Sequence, residues 1–347
     1  RHAIPLPLPA APPEPGPTSA ICNNAALRNA WYAVARVPDV GVYPVPVVLL
    51  GTKVVLYRTS SGSVIAAPDR CPHREAPLSK GFVRDGCLVC PYHGWSFGEG
   101  GTCVNVPSAN DDVPPPPRAH LSAYHVQEKY GLVWLCLGTP AGDLPVIPQD
   151  DDPAFRRLNT PVEVWRTCAA RMTDNFLDIT HFPWVHLGTF GMAQETKVPR
   201  FELGELDHGW FGYSYGVKAL NTKGAASVSG QDAEIVERQM SSGFHLPFDV
   251  RSTISYHTGL SHILLLLSTP IDDVTSYFTF VVWRNDDFTV PADEVLRFDM
   301  AIGAEDKVML EQVPGVLPLD QTTLVSVSAD KCGVEWRRRL MELMNAH

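Results

Sequence analysis

Two short segments each pair a cysteine with a histidine, and together they could bind a metal. The first is Cys71-Pro72-His73, and the second is Cys90-Pro91-Tyr92-His93. Each segment brings a soft thiolate ligand and a neutral imidazole ligand close together in the chain. A proline follows each cysteine and stiffens the backbone there. We therefore expect two short loops that hold one metal centre through two cysteines and two histidines.

The distribution of these ligands favours an iron–sulfur cluster over zinc. A Rieske [2Fe–2S] cluster takes two cysteines on one iron and two histidines on the other. Zinc sites of the Cys2His2 type usually separate a cysteine pair from a histidine pair, whereas here each loop carries one of each. Cys71 and Cys90 would bind one iron, and His73 and His93 the other. Zinc and a set of unrelated buried residues are the alternatives.

A second group of metal-type ligands, Asp178-x2-His181-x4-His186, lies further along the chain. Asp178 and His181 are expected to share a helix face. Pro183 should end or kink that helix, which would let His186 turn back toward His181. Two imidazoles and one carboxylate form the facial triad of non-haem Fe(II) oxygenases, which leaves positions open for dioxygen. The third ligand could be Asp178 or a carboxylate in the later helical segment 305–312, whose charges could instead form a solvated face.

The elements around these ligands change along the chain. Seven prolines in residues 1–17 predict that residues 1–28 form a flexible, Pro-rich arm. Residues 31–137 alternate short apolar runs with turn signals, which predicts an all-β domain. A Pro- and Asp-rich segment at 144–153 marks the expected boundary. We therefore predict a cluster domain over 29–150 and a catalytic domain over 151–347.

The second half is predicted to mix helices and strands. Helices are expected over 172–182, 291–313 and 336–344, and strands between 200 and 285. An all-β domain followed by mixed elements predicts an α+β chain.

Composition narrows the class of protein. The formal net charge is −10 and no long Lys/Arg run occurs, which argues against nucleic acid as a partner. The sequence contains no run of eighteen or more apolar residues, so no membrane span is expected. No secretory signal is visible either. Eight scattered cysteines do not form a disulfide framework, so a reducing cytoplasm is expected. Because the chain begins at an arginine, its natural start is expected to lie upstream.

These motifs resemble the oxygenase (alpha) component of Rieske non-haem iron oxygenases. The resemblance is greatest to the homotrimeric monooxygenase and demethylase branch, which includes vanillate and dicamba O-demethylases, caffeine N-demethylases and the saxitoxin-pathway hydroxylases. It is carried by the two Cys/His loops and by residues 174–186, and it covers roughly residues 29–345.

The resemblance implies an N-terminal Rieske [2Fe–2S] β domain followed by a helix-grip (START-like) catalytic domain with an antiparallel sheet and flanking helices. His181, His186 and Asp306 would bind one mononuclear Fe(II). Asp178 would form the electron-transfer bridge between subunits of a head-to-tail homotrimer, and Asn175 would lie near the iron.

The same resemblance implies an O2-dependent monooxygenase. It would hydroxylate a C–H bond of a small organic, possibly N-heterocyclic or alkaloid-like, substrate or remove an N- or O-methyl group. Electrons would come from NAD(P)H through a separate reductase, a ferredoxin or both. A cis-dihydroxylating dioxygenase and an electron-transfer Rieske protein are the alternatives. The residues chosen as candidates for the substrate pocket are Phe176, Trp184, Asn221, Gln231, Met240, Phe244, His245 and Trp283, each of which could instead be a core residue.

Overall fold

The computed structural model describes residues 12–16, 20–221, 229 and 231–346, and the chain divides into two compact units between Asp143 and Leu144. Half of the predicted arm, residues 1–11 and 17–19, lies outside the described residues. Residues 20–28 contain the short helix α1 (Ala25–Arg28), and Cys22 and Leu27 are fully buried. This burial corrects the prediction that all of residues 1–28 form an arm.

The first unit is built from three small antiparallel sheets. Their orders are β1-β10-β9, β2-β3-β4 and β5-β6-β7-β8. The described strands are β1 (Tyr32–Arg36), β2 (Val45–Leu49), β3 (Thr52–Arg58), β4 (Val64–Pro68), β5 (Phe82–Arg84), β6 (Cys87–Val89), β7 (Ser96–Phe97), β8 (Cys103–Asn105), β9 (His125–Lys129) and β10 (Leu132–Cys136). The loops after β4 and β6 carry the two Cys/His pairs, so short strands position both metal-binding segments.

The second unit is centred on one eight-stranded antiparallel sheet. Its order is β11-β18-β17-β16-β15-β14-β13, and β12 also pairs with β18. The strands are β11 (Arg156–Asn159), β12 (Glu163–Trp165), β13 (Gly204–Glu205), β14 (Phe211–Leu220), β15 (Ile235–His245), β16 (Asp249–Tyr256), β17 (Ser261–Pro270) and β18 (Ser276–Arg284). The long strands β14–β18 provide the face on which the long helix packs.

Four helices accompany this sheet in the described part of the second unit: α2 (Ala169–Leu177), α3 (Phe182–Val185), α4 (Ala292–Leu310) and α5 (Lys331–Asn345). Phe298 and Ile302 of α4 pack against apolar residues of β14, β15 and β16. Val295 of the same helix is fully buried in a second cluster with Phe280. Burying side chains of this size stabilises the fold by roughly 1.5–3 kcal/mol each.

The predicted helix over 172–182 is two separate helices. Helix α2 ends at Leu177, and Asp178 adopts an extended conformation with φ −92° and ψ 141°. The Asp178 carboxylate accepts hydrogen bonds from the backbone N–H groups of Thr180 and His181. Such local side-chain bonds compete with helical bonding, so the chain turns here before α3 begins.

The architecture confirms the predicted α+β class, with an all-β unit followed by an antiparallel sheet and its helices. Over the residues described, none of the helices combines the length and the apolar character that a bilayer crossing would need.

Candidate metal centres and the adjoining cavity

The two Cys/His loops share one backbone design. The N–H of the residue four positions after each cysteine donates to that cysteine's carbonyl, at 2.9 Å from Glu75 to Cys71 and 3.1 Å from Gly94 to Cys90. Both donors have positive φ, 65° at Glu75 and 73° at Gly94. A Cβ added at Gly94 would also lie 3.2 Å from Cγ of Pro107. Two equivalent turns therefore present the four candidate ligands.

In these loops the two cysteines are buried and the two histidines lie close to each other. Cys71 and Cys90 are buried, with 1% and 2% of their surface exposed. The Nδ1 atoms of His73 and His93 lie 3.2 Å apart, and the His73 ring stacks on Trp95. Burial, with a further contribution from the Cys90 thiol, raises the pKa of Cys71 to about 11. Two buried thiolates need a compensating cation, and two thiols with two imidazoles are the donor set that a Rieske [2Fe–2S] cluster takes.

Helix α3 positions the two histidines of the second centre. His181 precedes its first residue and His186 follows its last, and the Val185 N–H donates to the His181 carbonyl at 2.8 Å. Pro183 occupies the first turn of this helix, where a missing N–H costs nothing. One helical turn thus brings the imidazole Nε2 atoms of His181 and His186 to within 3.1 Å of each other.

Asp306 on α4 completes this group. Its Oδ1 lies 3.3 Å from Nε2 of His181 and 3.2 Å from Nε2 of His186. Burial would raise the Asp306 pKa, but the two histidines hold it well below its ordinary value. Burial alone would lower the pKa of His181, yet hydrogen bonds to Asp178 and Asp306 raise it to about 9. The site therefore attracts positive charge, and its two imidazoles and one carboxylate fit Fe(II).

Each histidine also has a carboxylate on its outer nitrogen. Nδ1 of His181 lies 2.9 Å from Asp178, and Nδ1 of His186 lies 3.4 Å from Glu305. We assign the proton of both rings to Nδ1 from these partners. In the neutral rings both Nε2 lone pairs then face the position beside Asp306, which is the tautomer that metal binding requires.

Glu305, one of the carboxylates that the sequence offers as a third ligand, lies instead beside the outer nitrogen of His186, a position that the sequence did not predict. Its carboxylate also accepts the Gly188 N–H at 3.0 Å and the Thr189 hydroxyl at 2.5 Å. These bonds tie α4 to the turn that follows His186. The available signal was its position next to Asp306 in the sequence, which places a second carboxylate close to the site.

Asn175 lies in this site as predicted. Its amide Nδ2 donates to Oδ1 of Asp306 at 2.9 Å, so it restrains the carboxylate that faces both imidazoles. Asp178 is oriented in turn by Thr180, whose N–H and hydroxyl donate to Oδ1 at 2.9 and 2.7 Å. Burial would raise the pKa of Asp178, but its bonds from His181 and Thr180 keep it below the ordinary value.

A cavity opens beside His181, His186 and Asp306, between α4 and the sheet. Three of the eight predicted pocket residues line it, namely Phe176, Asn221 and Met240, and Asn175 of the metal-site candidates lines it as well. Most other walls are apolar, including Phe182, Phe190, Ile254, Leu264, Phe280 and Phe298. An apolar chamber at an open metal position is suited to an organic substrate.

The other five predicted pocket residues do not line this cavity, which corrects their assignment. Trp184 is 69% exposed on α3, and Phe244 is buried against Phe211 at a centroid distance of 5.6 Å. His245 lies 3.0 Å from Asp249. The remaining two are Gln231, whose backbone carbonyl accepts from Asn221, and Trp283, whose indole donates to Asp150.

Sequence reasoning also missed a set of charged and polar residues in the cavity wall. Arg238, His262 and Asp299 all line it. Asp299 lies seven residues before Asp306, two turns along the same face of α4. That spacing was the available signal for Asp299, whereas Arg238 and His262 come together only through the register of the sheet.

Family profiles match both units of the chain. The profile of the Rieske [2Fe-2S] domain matches residues 30–125. The profile of the vanillate O-demethylase oxygenase C-terminal domain matches residues 165–346.

Individual proteins are similar over most of the chain. The chain is 30% identical to the methylxanthine N1-demethylase NdmA of Pseudomonas putida over 334 residues, covering 92% of this chain and 90% of that protein. It is 37% identical to the oxygenase component of the dicamba O-demethylase of Stenotrophomonas maltophilia, covering 83% and 88%. The solved structure of Pseudomonas putida NdmA with caffeine matches with a TM-score of 0.79 at 28% identity, covering 94% of this chain and 93% of that chain.

Proposed function

This chain belongs to the Rieske non-haem iron oxygenases of the vanillate O-demethylase type, and from that premise we propose that it oxidises a methyl group of a small organic substrate. The observation that carries the proposal is the convergence of His181, His186 and Asp306 at the wall of a largely apolar cavity. Such a site can hold a metal with open positions directly beside a bound substrate.

We propose the ligands of both centres from this geometry. Cys71, Cys90, His73 and His93 hold the [2Fe–2S] cluster, and His181, His186 and Asp306 hold the mononuclear Fe(II). When bound, the cluster supplies single electrons and the iron supplies dioxygen activation. The protein's own contribution is to position these groups and to shape the space around them.

The neighbouring side chains orient the ligands. Asp178 and Glu305 accept the Nδ1 protons of His181 and His186, which holds each ring in the metal-binding tautomer and raises its basicity. Asn175 restrains the Asp306 carboxylate by donating to it. These three residues act through the ligands and are therefore positioning residues.

The reaction proposed for a methylated substrate balances as a monooxygenation. One oxygen atom of O2 enters a C–H bond of the N- or O-methyl group, and two electrons and two protons reduce the other atom to water. The resulting hydroxymethyl group loses formaldehyde when its C–N or C–O bond breaks. Hydroxylation of a carbon that bears no such heteroatom would stop at the alcohol. The apolar cavity walls keep bulk water away from the reacting methyl group.

The electrons require partners. Several relatives are named as oxygenase components or subunits, including those of the dicamba and vanillate O-demethylases. We infer that this chain likewise receives electrons from NAD(P)H through a separate reductase or ferredoxin. We also propose a head-to-tail homotrimer in which Asp178 links His181 to a cluster histidine of the neighbouring subunit. The Asp178 side chain keeps 24% of its surface exposed, which such a contact needs.

The experiment is a substrate screen with the iron-loaded chain, a surrogate reductase, NAD(P)H and 18O2. A panel of N- and O-methylated heterocycles and aromatics is scored for formaldehyde and for the demethylated product. We expect formaldehyde that requires O2 and reductase and that disappears in the His181→Ala variant. A cis-diol as the main product would identify a ring dioxygenase instead. Electron transfer that is equal in wild type and His181→Ala, with no oxidised product from the wild type, would favour a pure electron carrier.

A further inference from the structure

Hydrogen bonding holds the His186 side chain less tightly than the His181 side chain. Nδ1 of His181 lies 2.9 Å from the Asp178 carboxylate, whereas Nδ1 of His186 lies 3.4 Å from the Glu305 carboxylate. A hydrogen bond is weaker at the longer distance. The terminal torsion of a histidine side chain is also broad, so a bond at one nitrogen leaves the ring free to tilt. The His186 ring therefore needs a restraint besides Glu305.

The ring of Phe190 makes a contact that can supply this restraint. It stacks on the His186 ring at a centroid distance of 4.9 Å and an interplanar angle of 26°. Phe190 is buried, so the stack is shielded from water. Aromatic pairs at such distances are stabilised beyond the effect of burial alone. At the other ligand, by contrast, the Phe182 ring meets His181 edge to face, at an interplanar angle of 77°.

The turn after His186 fixes the backbone on both sides of Phe190. The N–H groups of Thr189 and Gly191 both donate to the His186 carbonyl, at 3.1 and 2.7 Å. A Cβ at Gly191 would collide with a backbone carbonyl oxygen of α3, so the chain can return this closely only at a glycine. The Phe190 carbonyl accepts the Leu220 N–H at 3.1 Å, which ties the turn to the end of β14. The ring of Phe190 therefore projects from a fixed position.

Two further contacts hold the Phe190 ring itself. The Arg238 guanidinium lies 4.7 Å from its centroid, which is a favourable arrangement of a cation over an aromatic face. The Phe182 ring meets it edge to face, at 5.0 Å and 81°. Phe190 also lines the cavity beside the candidate iron ligands. Its ring is therefore a fixed surface against which the His186 imidazole can be oriented.

We propose that Phe190 is a positioning residue of the iron site, whose ring fixes the plane of the His186 imidazole and so keeps Nε2 aimed at the metal position. Glu305 and Phe190 then have separate tasks, because Glu305 sets the tautomer of the imidazole and Phe190 sets the tilt of its ring. This inference rests on the metal site of the function proposed above, and it adds a residue whose own side chain cannot bind a metal.

The test is Co(II) binding to the full-length, cluster-loaded chain from which the mononuclear iron has been removed. Equilibrium dialysis gives the Co(II) affinity. Low-temperature EPR of the bound Co(II) reports its ligand geometry, because the oxidised cluster is diamagnetic. Phe190→Leu and Phe190→Met remove the ring and keep most of the apolar volume, whereas Phe190→Tyr keeps the ring. Phe280→Leu is the matched control, because Phe280 is also buried and lines the same cavity, but its ring pairs with Phe278.

We expect Co(II) affinity to fall about two- to tenfold in Phe190→Leu and Phe190→Met, which is the effect of losing one aromatic pair. Their EPR spectra should broaden, because a ring that is free to tilt gives a range of ligand geometries. Phe190→Tyr and Phe280→Leu should keep the affinity and the spectrum of the wild type.

Wild-type affinity and spectrum in the ring-less variants would overturn the proposal, and so would an equal loss in Phe190→Tyr or Phe280→Leu. Unfolding of both ring-less variants would assign the ring to the fold and overturn it as well. Each of these outcomes contradicts this inference alone. Failure of the wild type to bind Co(II) at this site would instead contradict the proposed function, and this inference with it.

Discussion

The Glu305 carboxylate lies 3.4 Å from Nδ1 of His186, on the side of the ring opposite His181 and Asp306. Asp178 occupies the corresponding position on His181, at 2.9 Å from its Nδ1. Both histidine ligands of the proposed iron site are therefore held between an outer carboxylate and the metal position. Mutation of such outer partners typically lowers metal affinity or activity by about 10- to 100-fold.

Replacing Glu305 should weaken metal binding at the mononuclear site. In Glu305→Gln the acceptor for the His186 proton is no longer anionic, and in Glu305→Ala the ties to Gly188 and Thr189 are also lost. We expect Co(II) or Fe(II) affinity to fall about tenfold in Glu305→Gln and up to about a hundredfold in Glu305→Ala. Titration followed by the Co(II) d–d absorbance measures this, with exposed Glu294→Gln of α4 as control. Wild-type affinity in Glu305→Ala would refute the positioning role.

Asp178→Asn should separate metal binding from turnover. The asparagine can keep an acceptor oxygen for Thr180, but it replaces the oxygen that accepts from His181 by an NH2 group and removes the negative charge that raises the basicity of His181. We expect iron content close to wild type and a demethylation rate lower by about tenfold to a hundredfold or more. Iron analysis and the rate at which substrate and O2 re-oxidise the reduced cluster are the measurements. Asp293→Asn, at an exposed site on α4, is the control. Unchanged re-oxidation would remove Asp178 from the electron path.

Asp299 should make the stability of the protein depend on pH between about 4 and 6. Burial raises its pKa to about 6, although Arg284 and Arg238 oppose this. A carboxyl whose pKa is raised by folding stabilises the fold while it is protonated, and that contribution is lost as the pH rises through 6. Relative to Asp299→Asn, the wild type should lose up to roughly 3 kcal/mol of unfolding free energy over this range. Denaturant unfolding of both proteins at several pH values checks this, and parallel curves would contradict it.

Replacing Glu75 by glycine and Gly94 by alanine should have opposite effects on the stability of the cluster domain. Glu75 and Gly94 have equivalent positive-φ positions, and Pro107 crowds only the second. Glu75→Gly should be neutral or stabilising by up to about 1 kcal/mol, whereas Gly94→Ala should destabilise by about 1–2 kcal/mol. Thermal unfolding with the cluster absorbance as readout tests both variants. Equal tolerance of the two substitutions would contradict the predicted cost of a side chain at these positive-φ positions.

The cluster ligands could be predicted from sequence because each loop contains its own ligands and its own turn. The third ligand of the iron site could not be derived in that way. Asp306 lies on a helix far from His186 in the chain, and each residue along a helix turns the side chain by about 100°. Whether Glu305 or Asp306 faces the metal is therefore decided by how α4 packs, and only the family resemblance favoured Asp306.

The residues of the cavity walls were harder to predict because the sequence does not show which face of the sheet each side chain is on. Strand β18 is buried along its whole length, so alternation of apolar and polar residues cannot show which side chains face the cavity. His262 pairs with Arg284, and the next pair, Ile263 with Trp283, points to the opposite face. Trp283 therefore packs behind the sheet, and the placement of Arg238 and His262 in one cavity wall depends on the register of β15, β16 and β17.

The central claim is that one chain holds a Rieske cluster and a separate mononuclear iron, and metal analysis tests it most directly. Iron and acid-labile sulfide are measured per chain in anaerobically prepared wild type and His181→Ala after Fe(II) loading and removal of the excess. We predict about three irons and about two sulfides in wild type, and about two of each in His181→Ala. Two irons in wild type, or three retained by His181→Ala, would contradict an iron site at His181, His186 and Asp306.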